Sequence, residues 1–129
     1  LGGDGWDGLE GYATADQLKD AYFCANYAKG SNPEFEDAYK AEYGKEYPNG
    51  FAPLGYDAAM TVVYGIQAAE DAGLAAGDDD YKQAVIDAIA GGTINGITGT
   101  FTFDEHHNPV KQTAILCFDG ATPVLKEMF

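Results

Sequence analysis

Hydrophobic and polar positions along this chain change period several times, and each change predicts an element. Residues 1–11 (LGGDGWDGLEG) have no period and are dense in Gly and Asp, so they read as a loop that follows a strand preceding this sequence. Residues 15–21 are short, polar and of undecided type. The aromatic run of residues 21–27 (AYFCANY) predicts a strand. A helix start comes next, with Ser31 or Asn32 as cap, Pro33 pre-set for the first turn and Glu34 facing the positive helix end. Over residues 33–43, Phe35, Ala38, Tyr39 and Tyr43 form one apolar stripe, and Gly44 follows as a C-terminal cap. A second helix is predicted over residues 53–72, with Leu54, Ala58, Val62, Ile66 and Ala69 inward, Ala59 and Val63 beside them, and Gly73 as its stop. A third runs to residue 90, capped by the acids at 78–80, with Tyr81, Ala84, Val85 and Ala88 inward. The period then drops to two. Residues 96–103 and 112–118 predict two strands of one hairpin, and residues 123–129 a short last strand. The predicted order, one strand, three helices and three strands, needs more strands than it holds to cover both faces of its helices.

Composition places limits on the partners. The 129 residues carry 7 basic and 21 acidic side chains, a net charge of -14, so the surface repels phosphate backbones and anionic lipid headgroups, and no nucleic-acid or membrane-surface role is expected. The longest apolar run, residues 58–69, is interrupted by Thr61, Tyr64, Gly65 and Gln67 and falls short of the roughly 20 residues that span a bilayer. The sequence opens on Leu1 without a charged and apolar leader, and the expectation is that any export signal has been removed or lies outside the given sequence. Cys24 and Cys117 stand in apolar stretches, which predicts small buried side chains, with a disulfide between them as the lesser alternative. No cofactor is expected. No CxxC spacing or convergent His points to a metal, no nucleophile stands with a base, and no glycine-rich phosphate loop opens a helix, so an enzyme is not expected either.

Several segments, taken in order, resemble one family. FEDAYKAEYGKE at 35–46, GYDAAM at 55–60, GITGTFTFDE at 96–105 and PVK at 109–111 are similar to the last third of branched-chain amino acid binding proteins, of the periplasmic-binding type I class. The resemblance implies a two-lobe α/β fold in which three crossover strands join the lobes and a solute is trapped as they close. It implies that this chain is a C-terminal fragment. Residues 1–22 would end the second lobe with a ligand loop, 23–27 would cross over, 28–115 would give helices and a hairpin to the first lobe, and 116–129 would form the third crossover and terminal strand.

The same resemblance assigns site residues. Asp4, in Gly2-Gly3-Asp4-Gly5-Trp6, matches the acid that accepts the α-ammonium group of the ligand. A carboxylate in a closing, partly dry cleft attracts an ammonium more strongly than in water, and the flanking glycines let backbone approach. By itself, Gly-Asp-Gly reads as a solvated turn. Phe51 matches an aromatic wall for the ligand side chain, beside an equally good reading as a staple for its own helix. Trp6 is placed beside the ligand, or else packs within the lobe. Tyr27 and Tyr56 read as structural, His106-His107 as a polar turn, and the acids at 78–80 as caps and not calcium ligands.

The expected function is therefore extracellular or periplasmic capture of a branched-chain or related amino acid for a membrane-bound ABC permease, on a bacterial cell-surface lipoprotein or free protein. A sensory module with the same fold is the runner-up. A fragment whose helices are built to cover an absent sheet is expected to self-associate through its exposed faces.

Overall fold

The computed structural model describes all of residues 1–129. The chain divides into two compact units, one made of Leu1–Leu54 with Gln112–Phe129 and the other of Gly55–Lys111. Helices and antiparallel sheets make this a mixed α/β architecture, as the sequence predicts.

The first unit is built on a three-stranded antiparallel sheet in the order β1-β5-β6, with β1 at Tyr22–Ala25, β5 at Ala114–Asp119 and β6 at Thr122–Met128. Alternation along β1 and β5 sends Phe23, Ala25, Ala114 and Leu116 to one face, where they are buried with Ala28 and flanked by Trp6 and Phe118. The register sets Phe23 opposite Leu116 and Ala25 opposite Ala114, so the core is assembled from cross-strand pairs. The other face carries the thiols. Cys24 is exposed and Cys117 partly so, and both are free. They miss each other by register, Cys117 standing opposite Tyr22 and Cys24 opposite Ile115. The expectation that both cysteines are buried is thus corrected by strand parity.

Two further elements complete this unit. Helix α1 is a single turn at Ala15–Leu18, started by a reciprocal Thr14–Gln17 capping box and anchored by the buried Leu18. Helix α2 runs over Pro33–Tyr43, as predicted, and Gly44 at φ +66° closes it. Of the two candidate caps, the structure selects Asn32, whose Oδ1 accepts from Phe35 N at 3.1 Å. The aromatic stripe of α2 meets Tyr47, with ring centroids 6.2 Å from Phe35 and 6.3 Å from Tyr39. Tyr27 is structural: its hydroxyl donates to Glu36 Oε1 at 2.7 Å, and burial, then that bond, hold its pKa above the ordinary tyrosine value. Asn32→Ala is expected to cost about 1 kcal/mol by removing one cap bond, read as a lower denaturation midpoint with an unchanged denaturant slope.

Helix α3 spans Phe51–Asp71, starting two residues before its predicted start, and continues from the first unit into the second. Pro53 falls in its first turn, where the missing N–H costs nothing. The predicted inward stripe is corrected. The structure buries Pro53, Asp57, Thr61, Gly65 and Ala69, whereas Val62 and Val63 are 50% and 51% exposed. Within the second unit the reason is contact: a Cβ on Gly65 would stand 2.7 Å from Ile89 Cγ1, so the glycine is what admits helix α4, at Tyr81–Gly91, so closely. Asp80 precedes α4 but forms no side-chain cap; the acid that bonds locally is Asp78, accepting from Ala75 N at 2.7 Å.

The remaining strands of the second unit are β2 at Ile94–Gly96, β3 at Gly99–Phe103 and β4 at Pro109–Val110, an antiparallel sheet in that order. Here the predicted hairpin is corrected. Residues 99–103 pair with β2 and β4, and the strand that follows at 114–119 pairs with β1 and β6 instead. Residues 97–98 form a two-residue turn between Gly96 and Gly99, the latter at φ +113°, a conformation that favours glycine.

Candidate functional site

The loop at the start of the chain is shaped by its glycines. Gly2 joins β1 through a parallel bridge to Phe23, its N–H donating to Tyr22 O at 2.8 Å and its carbonyl accepting from Cys24 N at 3.1 Å. A Cβ on Gly2 would lie 2.2 Å from the Trp6 ring, so only glycine lets the indole fold back over the strand. A 3-10 turn at Asp4–Trp6 follows, closed by Asp7 N donating to Asp4 O at 3.0 Å. The turn leaves the Asp4 side chain exposed and lays Trp6 against the Phe23 cluster.

Phe51 reaches the same place from 47 positions later in the chain. Asn49 Oδ1 accepts from Phe51 N at 3.1 Å, an Asx turn that starts α3 and fixes its first residue. Phe51 remains 65% exposed. Asp4 and Phe51 line one shallow pocket of ≈ 20 Å³, together with Asp7, Tyr27, Asn26 and Leu54. Trp6 does not line it. A volume of this size holds about one water, so the depression is shallow and not an enclosure. Its lining combines the carboxylates of Asp4 and Asp7 with the apolar side chains of Phe51 and Leu54. That pairing suits a ligand with a cationic head and an apolar tail.

Asp7 is the residue that sequence reading missed. Its Oδ2 accepts from Gly50 N at 2.7 Å, tying the Asp4 loop to the turn that presents Phe51. No local pattern distinguishes it from the other acids of the loop; the bond links positions 43 residues apart. A larger depression of ≈ 350 Å³ adjoins through Asp7, with Glu10, Tyr47 and Leu125 among its walls. Its cation Lys29 is engaged by Glu46, and this hydrogen bond raises the Lys29 pKa. Both depressions thus present acids without a free basic partner nearby.

The other residues weighed from sequence lie elsewhere. His106 and His107 occupy the turn between β3 and β4, where Asp104 Oδ1 accepts from His106 N and Asn108 N, both at 2.8 Å. Tyr56 is on the exposed part of α3 in the second unit. No helix is long and apolar enough to cross a membrane.

A match to the family described as periplasmic binding protein covers residues 2–121. The chain belongs to the periplasmic binding protein family. Among solved structures it is similar to an ABC-transporter solute-binding protein from R. palustris in complex with benzoate, at 24% identity and a TM-score of 0.72 over 99% of this chain. It is also similar to the branched-chain amino acid transporter substrate-binding protein LivJ from Streptococcus pneumoniae, in complex with isoleucine, at 26% identity and a TM-score of 0.68 over 98% of this chain. The leucine-binding protein LivK from Thermotoga maritima matches at 22% identity with a TM-score of 0.65 over 98%. In each case the chain spans 35% of the length of the protein it matches. No curated protein matches the sequence.

Proposed function

We propose that this chain is the C-terminal part of an extracellular solute-binding protein that captures an amino acid with an apolar side chain and hands it to an ABC permease. The observation that carries the reading is that Asp4 and Phe51, far apart in sequence, line one depression in a chain of this family. In this reading the Asp4 carboxylate receives the α-ammonium group, Phe51 covers the side chain, and Trp6 braces the loop against the strand. Residues 1–22 end one lobe, 28–115 serve the other, and 23–27 and 116–129 are crossing segments. The pairing of β1 with β5 supports the last point, since it sets two such segments side by side. Ligand capture needs no bond making: contacts available only in the closed form shift the open-closed equilibrium toward the state a permease selects.

The neighbour bound to benzoate offers a contrast in charge. An aromatic acid brings a carboxylate and no ammonium, and against Asp4 and Asp7 it meets like charge. An amino acid brings the cation that these acids lack. Calorimetric titration of the whole polypeptide with leucine, isoleucine, valine and benzoate tests the choice. Micromolar or tighter binding of an aliphatic amino acid is the expected result; binding of benzoate alone, or of none of them, overturns the assignment. Phe51→Ala is expected to weaken leucine binding roughly ten-fold or more, by loss of apolar contact area, with a much smaller effect on glycine in the same titration.

A further inference from the structure

Three of the segments that resemble the family, residues 55–60, 96–105 and 109–111, contribute nothing to the Asp4–Phe51 depression. They converge instead on one buried carboxylate. Asp57 is 3% exposed; its Oδ1 accepts from Ile97 N at 2.7 Å, and its Oδ2 accepts from Thr98 N at 2.9 Å and from Thr98 Oγ1 at 2.6 Å. The two-residue turn between β2 and β3 is thus wrapped around a helix side chain. Gly96 makes room for it, because a Cβ there would stand 2.4 Å from Asp57 Oδ2. The Thr98 hydroxyl donates to Asp57 and accepts from the Lys111 ammonium, which uses both capacities of one hydroxyl. Lys111 Nζ also stands 5.7 Å from the centre of the Phe101 ring. Burial holds the Lys111 pKa below the ordinary lysine value, and the charge of Asp57 opposes that shift.

A buried anion is retained only when its hydrogen-bonding and charge are met, and here they are met from both ends of one compact unit. Asp57 lies in the first turn of α3 inside the second unit, and Lys111 is the last residue of that unit. We infer that Asp57, Thr98 and Lys111 form a latch that ties the entering helix and the segment leaving the second unit after β4 to the same turn, so that α3 and the β2–β3 hairpin open and close as one cooperative piece. The latch gives these segments a role separate from solute contact. Cooperative local opening of this kind is read directly by native-state hydrogen exchange, amide by amide.

The test is exchange by NMR on the intact chain, comparing Asp57→Asn and Lys111→Met with the parent. Asn keeps the size but turns its NH2 toward the backbone N–H of Ile97 or Thr98, which can only donate, and about a 10- to 100-fold loss of protection at Ile97 and Thr98 is expected from removing hydrogen bonds to a charged group. Met keeps the aliphatic stem over Phe101 and deletes only the ammonium, so a smaller loss at the same two amides is expected. The double variant is expected to lose less than the sum of the two, and amides of β1 and β5 in the first unit to keep their protection. Unchanged exchange at Ile97 and Thr98 in Lys111→Met overturns the latch, as does an Asp57→Asn loss that is equal in β1 and β5. If Asp57→Asn does not fold, Thr98→Val, which deletes the bridging hydroxyl alone, carries the same comparison.

Discussion

Phe23→Ala is expected to lower the stability of the first unit by about 3–5 kcal/mol, the largest effect of any substitution considered for this chain. Phe23 is 2% exposed and stacks on Phe118 with ring centroids 5.5 Å apart. It stands opposite Leu116 in the register and shares its cluster with Ala25, Ala28 and Ala114. The alanines explain the size of the effect. Most of the neighbours are too small to move into the space, so the cavity stays open, and the loss combines transfer of the ring with the void that remains. The measurement is built into the sequence. The single Trp, Trp6, packs against this cluster, so its fluorescence in a denaturant titration reports the first unit. A drop in midpoint at constant slope is the expected outcome; a loss under about 1 kcal/mol, the range of volume-conserving swaps, overturns the description of Phe23 as the centre of the core.

Asp4→Ala is expected to weaken amino-acid binding by about 2–4 kcal/mol, roughly 30- to 1000-fold, because it strands an ammonium in a closed cleft without its counter-charge. The prediction rests on the proposed solute reading and separates it from a simpler one. Asp4 is exposed and its hydrogen bond is made by the backbone carbonyl that closes its turn, so truncating its side chain leaves the fold unchanged, and a loss of binding reports contact with ligand. Calorimetry on the whole polypeptide, with the denaturation midpoint as control, provides both readings. Asp4→Glu keeps the charge and lengthens the reach, and is expected to retain a larger share of the affinity than Asp4→Asn, which keeps the length and drops the charge. Leucine affinity within three-fold of the parent in Asp4→Ala sinks the ammonium role. Asp7→Ala is a useful companion, since Asp7 acts through Gly50 N and its loss is expected to loosen the loop that presents Phe51 before it alters charge.

How much of this was legible in the sequence depends on how local the deciding interactions are. Helix α2 was readable to the residue, because Asn32, Pro33 and Gly44 act on backbone groups within a few positions of themselves. The loop character of residues 1–11 and the last strand follow from similar local chemistry, whereas the turn at 97–98 falls inside the run 96–103 that reads as one strand. The Asp4 and Phe51 assignments came through resemblance, since a Gly-Asp-Gly turn and an aromatic at a helix start each have a commoner structural meaning.

The tertiary structure decided the rest. Strand partners are chosen between chain segments, and two alternating runs close in sequence need not pair: β3 took β2 and β4, leaving β5 to β1, 91 residues away at the Cys24–Ile115 pair, a choice no local pattern encodes. The inward face of α3 went to Asp57, Thr61 and Gly65, positions a hydrophobic stripe passes over, because the carboxylate is answered by the 97–98 turn and the missing side chain admits Ile89. Cys24 turned outward because its neighbours Phe23 and Ala25 own the core face, and parity leaves no third option. By itself the sequence determined the bounds of α2, whose start and stop signals act locally, and what charge the surface carries. Which faces meet, which acid is buried and which two distant residues share a depression were settled only when burial and hydrogen bonding between remote segments were satisfied together.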